Sequence, residues 1–244
     1  MITYKLLHIN GLYFELLGDE GKDREYDVSF VDGNTTIYET KMKKGGWAKL
    51  NRRYLSNVAI FIKYQGRTVK QINLLDELAG KRVFIVFESK SLGDSIAWIP
   101  YCLEFQEKYK CHVVVSSFKN DLFQSVYPEL EFVERGVIVH NIVAQVELGW
   151  FWNKDGEPVH PATIPLQQAA SNILALPFKE IQPRIAFTPR ERPVTNPYIC
   201  VSTRSTAQCK HWYYWPELIQ SLKDMGYRVF EMSQEDDELG AQTL

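Results

Sequence analysis

One stretch of the sequence limits the possible folds more than any other. Residues 82–87, Arg-Val-Phe-Ile-Val-Phe, form a short run of apolar and β-branched side chains that is typical of a buried parallel strand. Residues 89–95, Ser-Lys-Ser-Leu-Gly-Asp-Ser, come next, and apolar side chains then recur near helical spacing as far as Tyr109. This order predicts a strand, a tight turn and a helix, which is how an α/β domain with a parallel sheet begins.

The predicted turn holds a candidate catalytic residue. Gly93 is expected to supply the backbone freedom that the turn needs, and Asp94 or Ser95 can cap the first exposed N–H groups of the helix. Open α/β sheets bind their ligands at the carboxyl ends of their strands, so Asp94 is expected where chemistry is usually carried out. The alternative interpretation is that Asp94 is only a helix N-cap, and spacing alone favours neither role.

Composition and cysteine usage exclude several classes of protein. A net charge of −2 over 244 residues gives no support to nucleic-acid binding, which normally needs a basic face. No apolar stretch approaches the roughly 18–20 residues of a membrane span, and the amino terminus does not resemble a secretory signal. The four cysteines form no Cys-x-x-Cys pair, and we expect Cys102 and Cys200 to be buried. These features predict a cytoplasmic protein.

Residues 1–76 are expected to form a separate β-rich domain, a small antiparallel sheet or barrel. Residues 26–31 come close to strict alternation of polar and apolar side chains, and residues 56–72 read as a hairpin around the two-residue turn Gln65-Gly66. This part contains no catalytic constellation, and His8 is expected to be structural. A group of Lys and Arg between residues 41 and 53 is interpreted as a solvated face, with partner docking as the alternative.

From residue 77 onward, predicted strands alternate with predicted helices, which implies a parallel sheet with right-handed crossovers. Asn196-Pro197 separates a first such region, residues 77–195, from a second, residues 196–244. The second region begins a strand-helix-strand unit but shows no apolar segment after it to continue a sheet, so its Rossmann-like half is predicted to be incomplete. The other predicted strands lie at 112–117, 131–133, 137–139, 198–202 and 227–232, and the other helices at 120–127, 165–176 and 212–225.

Two loops are candidates for ligand binding. Residues 149–156 carry three consecutive aromatic side chains, and we expect Trp150 and Phe151 to face the cleft beside Asp94, where rings can stack on a sugar; the alternative is a loop pinned to the core. Residues 203–210 are rich in hydroxyls and hold two cations, a composition that can cradle phosphate. That loop is not a P-loop, because it lacks the glycines and the Gly-Lys-Ser/Thr end.

These segments together resemble a known family. Ser-Leu-Gly-Asp-Ser at 91–95 and Ser-Thr-Arg-Ser-Thr-Ala-Gln-Cys-Lys-His-Trp at 202–212 are similar to motifs of bacterial heptosyltransferases, closest to the autotransporter strand-loop-strand O-heptosyltransferases. The segments 149–151 and 165–174 and the β-rich amino-terminal module also resemble that subfamily. Members of the family run on through a second Rossmann-like domain and tend to carry a late cysteine cluster that binds iron, which this sequence does not match. The chain is therefore expected to be truncated at its carboxyl end.

The resemblance implies a GT-B glycosyltransferase that moves a heptose from ADP-heptose to serine hydroxyls of an autotransporter passenger domain, with no metal needed for transfer. Residues 77–195 would be its acceptor-side domain and residues 196–244 the start of its donor-side domain. Homo-oligomer formation is left open. The site residues that the resemblance implies are Asp94 as the base, Thr206 and Lys210 as phosphate contacts, with Ser205 as a weaker candidate, and Ser91, Leu92, Gly93, Ser95, Trp150 and Phe151 as further substrate contacts.

Elementary chemistry agrees with these roles. An acceptor hydroxyl must lose its proton as it attacks the anomeric carbon, and a carboxylate within hydrogen-bond reach, here Asp94, can take that proton. The departing ADP gains negative charge that the point charge of Lys210 can stabilise. The absence of an Asp-x-Asp motif fits transfer without a metal.

Other functions stay open at the level of sequence. The chain can be a non-catalytic remnant that binds the acceptor or serves assembly, or a transferase for another nucleotide sugar, because no residue in it identifies heptose or adenine. A generic dinucleotide-binding role has little support, since no Gly-x-Gly-x-x-Gly occurs. If the donor half is incomplete, we expect an exposed apolar face, no closed adenine pocket and weak ADP binding.

Overall fold

The structure is a computed structural model that describes part of the chain, namely residues 1–19, 23–152, 159–188, 194–203, 208–232 and 242–243. It divides into two compact units, Met1–Phe187 and Thr188–Leu244. The strands of the first unit are β1 (Ile2–Ile9), β2 (Leu12–Asp19), β3 (Tyr26–Asp32), β4 (Thr35–Met42), β5 (Trp47–Leu50), β6 (Val58–Tyr64), β7 (Arg67–Asn73), β8 (Arg82–Phe87), β9 (His112–Ser116), β10 (Glu131–Phe132) and β11 (Ile142–Leu148). Its helices are α1 (Leu92–Tyr109) and α2 (Leu166–Ile173), with short 3-10 turns at Asp76–Leu78, Asn120–Leu122 and Pro161–Thr163.

The main sheet of this unit is rich in parallel pairs. Its strand order is β10-β9-β8-β11-β1-β2-β5, and β8 pairs in parallel with both β9 and β11. A separate antiparallel sheet has the order β4-β3-β6-β7. The predicted α/β class, with a parallel sheet and an antiparallel β part, is confirmed.

The amino-terminal residues contribute to both sheets. Strand β1 pairs in parallel with β11, so that His8 lies opposite Ala144, and β2 and β5 add antiparallel strands beyond it. The boundary that the sequence predicts near residue 76 therefore falls between strands of one sheet. Only β3, β4, β6 and β7 form a sheet of their own. The cause is backbone pairing between strands more than 130 residues apart, which no local pattern reveals.

The predicted hairpin around Gln65-Gly66 is confirmed. Strands β6 and β7 pair in antiparallel fashion on either side of it. Both turn residues have positive φ, 50° at Gln65 and 76° at Gly66, as a two-residue type I′ turn requires.

The strand and helix that open the parallel sheet are buried as their sequence predicts. Every residue of β8 after Arg82 is buried, and α1 packs one side of the sheet with Trp98, Ile99 and Phe105, each at most 1% exposed. Full burial of a large apolar side chain contributes about 2 kcal/mol. The helix ends at Tyr109, and the next residue, Lys110, adopts the left-handed conformation common after helix ends.

The segment after β10 corrects one prediction. Residues 137–139 do not form a strand; instead Val133, Val139 and Ile142 pack over Phe84, Val86 and Val114 on the second face of the sheet. Val137 and Ile138 are exposed, so only Val139 of the predicted strand contributes to this apolar cover. The next strand is β11, which the sequence interpretation missed, and the helix predicted at 120–127 is reduced to a single 3-10 turn.

The second unit is a small parallel sheet with one helix. Strands β12 (Tyr198–Val201), β13 (Arg228–Glu231) and β14 (Gln242–Thr243) are adjacent in that order, and α3 (Trp215–Asp224) follows a 3-10 turn at Gln208–Lys210. Val201, Ile219 and Val229 form its buried cluster.

Two expectations for this unit are wrong. A further strand, β14, does follow β13. The residues of β14 are polar, but its backbone groups pair with those of β13. Cys200 is exposed, since it alternates with Val201 and so points to the face opposite the buried cluster, whereas Cys102 is fully buried as predicted. In the part of the chain that the structure describes, no helix is both long and apolar enough to cross a membrane.

Candidate active site

The turn between β8 and α1 is built by serines. Ser91 occupies the N-cap position with an extended backbone, and its N–H donates to Ser89 Oγ over 3.1 Å. Ser95 is fully buried, and its hydroxyl donates to the Ser91 carbonyl over 3.0 Å. These two bonds hold the turn that carries Asp94.

Gly93 has a different role from the one expected. It lies inside the first turn of α1, its φ is not positive, and a Cβ built on it would meet nothing closer than Ser91 Oγ at 3.8 Å. The backbone therefore does not require glycine here, so the expectation that Gly93 makes the turn possible is wrong. Its lack of a side chain leaves open space at the start of the helix.

The interpretation of Asp94 as an N-cap is also wrong. Asp94 is the third residue of α1, and no side chain caps the helix at Ser91. The Asp94 side chain is 6% exposed, and its Oδ2 accepts a hydrogen bond from Trp150 Nε1 over 2.9 Å. A negative charge in the first helical turn is stabilised by the helix dipole. The hydrogen bond from Trp150 thus orders the carboxylate, and the carboxylate does not cap the helix N-terminus.

Sheet register explains why Asp94 and Trp150 meet. Phe87 at the end of β8 pairs with Leu148 at the end of the parallel neighbour β11. The carboxyl ends of adjacent parallel strands share one edge, so the segments that follow them lie side by side. The Glu88 N–H continues this pairing with a 2.8 Å bond to the Leu148 carbonyl.

The two aromatic residues expected to face the cleft have different surroundings. Trp150 is half exposed and contacts Asp94. Phe151 packs its ring on Gly149, with the Arg53 guanidinium 4.4 Å from the ring centroid, and its carbonyl accepts a bond from the Tyr54 hydroxyl over 3.2 Å. The structure therefore brings Trp150 beside Asp94 and ties Phe151 to the segment after β5.

A cationic and aromatic cluster beside the turn was missed by the sequence interpretation. Arg135 donates to the Phe87 carbonyl over 2.7 Å, lies 3.5 Å from Glu88, and stacks 4.1 Å from the centroid of Phe118. Lys90 approaches the same ring at 5.7 Å. Phe118 and Arg135 each follow a strand of the sheet by two or three residues, and that position is the signal that could have identified them.

His8 behaves as a structural residue, as expected. It is 2% exposed on β1, and desolvation by burial lowers the pKa of its imidazole. The neutral form is therefore the one that the fold favours.

In the second unit, the candidate phosphate loop is described in part. Ser205 and Thr206 lie outside the described residues. Lys210 ends the short 3-10 turn and is exposed. Thr203, at the start of the loop, donates its hydroxyl to the carboxylate of Glu231, which is 1% exposed.

Comparisons with known proteins show which proteins the chain is similar to. No family model matches the chain. The chain is 29% identical over 235 residues to the autotransporter heptosyltransferase Aah of Escherichia coli, a match covering 90% of the chain and 59% of Aah. It is 28% identical over 192 residues to the autotransporter heptosyltransferase TibC of Escherichia coli O78:H11, covering 75% of the chain and 47% of TibC. A crystal structure of TibC superposes with a TM-score of 0.78 at 25% identity, over 96% of this chain and 61% of that one.

The chain is similar to autotransporter heptosyltransferases over most of its length. The predicted resemblance is confirmed, and this chain spans about half to three fifths of the length of these curated relatives. A second TibC structure, in complex with ADP-D-β-D-heptose, has the same fold, with a TM-score of 0.78 at 24% identity. One relative is named as inactive. It is the inactive autotransporter heptosyltransferase BimC of Burkholderia thailandensis, which is 29% identical over 205 residues.

The TibC structure is described as iron-containing and dodecameric. In this chain, the described residues contain no group of three His, Cys, Asp or Glu side chains that could hold a metal ion. The described residues therefore do not fit an iron site, and no step of the chemistry below is assigned to iron.

Proposed function

We propose that this chain is the acceptor-side part, and the beginning of the donor-side part, of an enzyme that transfers heptose from ADP-heptose to serine hydroxyls of an autotransporter protein. The names of its relatives and the ADP-heptose complex of TibC support the substrate classes. The observation that carries the proposal is the buried Asp94 carboxylate at the ligand-binding edge of a parallel sheet, ordered by a bond from Trp150 and not by the helix end.

In this proposal Asp94 is the general base. The acceptor serine hydroxyl gives its proton to the Asp94 carboxylate as its oxygen forms a bond to the anomeric carbon of the heptose. The bond from that carbon to the β-phosphate oxygen breaks, and ADP leaves with the electron pair. General-base catalysis of this kind typically contributes about a hundredfold or more to rate.

The leaving diphosphate is assigned to the loop at 203–210. Lys210 is exposed and supplies a full positive charge, and Thr206, with Ser205 as the weaker candidate, supplies hydroxyl donors. Fixed donors and a cation aimed at developing charge lower the barrier most where they are already in place. This chemistry matches the role that the family resemblance implies for these residues.

We assign the residues at the start of α1 to contacts with the reacting groups of the substrates. Leu92 is half exposed and Gly93 leaves open space, so a substrate can approach the helix end closely there. Ser91 lines the same turn, while Ser95 supports it from beneath through its bond to the Ser91 carbonyl. The exposed part of the Trp150 ring and the Phe151 ring are proposed to border the sugar or the acceptor.

The proposed partners are ADP-heptose and an autotransporter passenger domain, with no nucleic acid. Self-association is proposed by analogy with TibC, which is described as dodecameric. The four cysteines are free thiols, which fits a reduced compartment, so we place the reaction in the cytoplasm.

A second candidate function is a non-catalytic member of the family. The relative named inactive, BimC, shows that relationship to these enzymes does not by itself imply transfer. Such a member would bind or assemble with its partners without adding a sugar.

The deciding experiment is incubation of the chain with ADP-heptose and a passenger fragment, followed by mass spectrometry of the fragment. Addition of one or more heptose masses at serines, lost in Asp94→Asn, is the expected result. Parallel reactions with other nucleotide sugars test donor choice. If no sugar is added from any donor, the chain is non-catalytic and the proposal is wrong.

A further inference from the structure

We propose that Trp150 is a positioning residue that orients the Asp94 carboxylate for proton transfer, beyond any part it has in bordering the substrate. This inference rests on the proposed function, because it assumes that Asp94 is the base. It gives the loop at residues 149–156 a role in the chemical step, in addition to the expected stacking of its aromatic rings on a sugar.

The hydrogen bonding of Asp94 carries the argument. Among the described residues, the Asp94 side chain has one observed hydrogen bond. Its Oδ2 accepts this bond from Trp150 Nε1. Asp94 is 6% exposed, so little water can compete for that oxygen. Pinning Oδ2 fixes the plane of the carboxylate and leaves Oδ1 as the oxygen to accept the serine proton.

An indole suits this task chemically. Its Nε1–H is a donor only, so it cannot take the proton in place of Asp94 or reverse the direction of the bond. A bond between a neutral donor and a carboxylate is stronger than one between two neutral groups. The ring is also rigid and half exposed, so one edge can hold Asp94 while the remaining surface stays open to a ligand.

The position of Trp150 is itself determined by its neighbours. On one side, Leu148 is paired with Phe87, which ties the loop to the strand that leads to Asp94. On the other side, Phe151 packs so closely on Gly149 that a Cβ there would lie 2.6 Å from its ring. The Tyr54 hydroxyl holds the Phe151 carbonyl. Trp150 is therefore fixed from both directions along the chain.

A purely sugar-binding role makes different predictions. A ring that only stacks on substrate contributes to binding, so its removal raises KM and leaves kcat nearly unchanged. A group that acts through Asp94 affects the chemical step, so its removal lowers kcat. Its effect also disappears once Asp94 can no longer act as the base.

The contact can be tested without turnover, by NMR of the indole N–H groups in the 244-residue chain labelled with ¹⁵N-tryptophan. Trp150→Phe assigns the Trp150 signal by its loss. In Asp94→Asn this signal is expected to move upfield, because an amide oxygen is a weaker acceptor than a carboxylate. The Trp98 indole, which donates to the Leu166 carbonyl over 3.1 Å, is the internal control and stays in place. A Trp150 signal that does not move contradicts the inference.

The kinetic test is a double-mutant cycle of Trp150→Phe and Asp94→Asn, with Trp47→Phe as the matched control. Trp47 is exposed on β5, and no role in the reaction is proposed for it. We expect Trp150→Phe to lower kcat about tenfold with KM changed less than twofold, to have no further effect in Asp94→Asn, and Trp47→Phe to match the wild type.

The outcomes separate this inference from the proposed function. A wild-type chain without transferase activity overturns the proposed function, and with it the role of Trp150 in that reaction. An active wild type with a Trp150→Phe variant of equal kcat, or with a change in KM alone, overturns only the positioning role. Additive losses in the double variant would do the same, because they would mean that Trp150 acts independently of Asp94.

Discussion

The two units each contain a strand followed by a turn and a helix, yet they bury these elements to very different extents. In the first unit, five consecutive residues of β8 are buried, and α1 buries eight of its residues. In the second unit, β12 has one buried residue and α3 has only Ile219. The same local pattern thus leads to a deeply packed element in one unit and a lightly packed one in the other.

This difference bears on function. A base must be held in one geometry, and Asp94 lies on the deeply packed helix, where surrounding side chains restrict its motion. The proposed phosphate contact Lys210 lies on an exposed 3-10 turn of the lightly packed unit. The comparison suggests a rigid site for the chemical step and a less constrained one for the diphosphate.

The largest expected effect concerns the rigid site. Asp94→Asn should keep the fold and lower the rate of heptose transfer by about a hundredfold or more, because an amide cannot take the serine proton. Asp121→Asn, an exposed aspartate on a 3-10 turn, is the control and should leave the rate unchanged. Activity near the wild-type level in Asp94→Asn, measured by mass spectrometry of the acceptor, would rule out Asp94 as the base.

Hydrogen exchange compares the packing of the two units directly. Amides of α3 should exchange at least tenfold faster than those of α1 at equal intrinsic rates, since few buried contacts oppose their opening. Exchange measured by mass spectrometry on peptides covering 92–109 and 215–224 tests this. Equal protection of the two helices would mean that α3 is stabilised by contacts beyond its own unit.

A smaller effect is expected at the exposed site. Lys210→Met should weaken ADP binding about tenfold, in line with the loss of one charge-assisted contact to phosphate. Lys223→Met, which removes an exposed lysine near the end of α3, should leave the affinity unchanged. Titration calorimetry of ADP into the chain measures both, and equal affinities in the two variants would remove Lys210 from the site.

The smallest effect concerns His8 in the packed unit. Because burial lowers its pKa in the folded state, the unfolded chain binds more protons as the pH falls below about 6.5. The free energy of unfolding should therefore decrease as the pH falls through that value, by at most about 1.4 kcal/mol per pH unit from this residue. Urea unfolding of the wild type and His8→Leu between pH 7.5 and 5 tests this. The variant should show a shallower slope, and parallel curves would contradict the prediction.

Local pattern was enough to predict several elements. The run of apolar residues in β8 and the helical spacing in α1 come from side chains a few positions apart, as does the positive φ at Gln65 and Gly66 in the hairpin. The position of Asp94 at the carboxyl edge of the sheet follows from that order alone. The resemblance to autotransporter heptosyltransferases was also predictable, because the motifs that carry it are short and keep their order along the chain.

Other features depended on residues far apart in the chain. The pairing of β1 with β11 draws amino-terminal strands into the parallel sheet, and no local pattern distinguishes that from a separate β domain. Exposure of Cys200 depends on which face of a strand the helix covers. In the run at 137–139, only Val139 packs on the second face of the sheet, whereas Val137 and Ile138 are exposed, and no local pattern distinguishes this arrangement from a strand.

The candidate site shows the same division. Sequence by itself determined that a carboxylate follows a buried strand and that aromatic residues occur 56 positions later. Only the tertiary structure decided that Asp94 is not a helix cap and that its partner is the Nε1–H of Trp150. The physical reason is the register of two parallel strands: Phe87 pairs with Leu148, and backbone hydrogen bonding between them brings the two following segments to the same edge of the sheet.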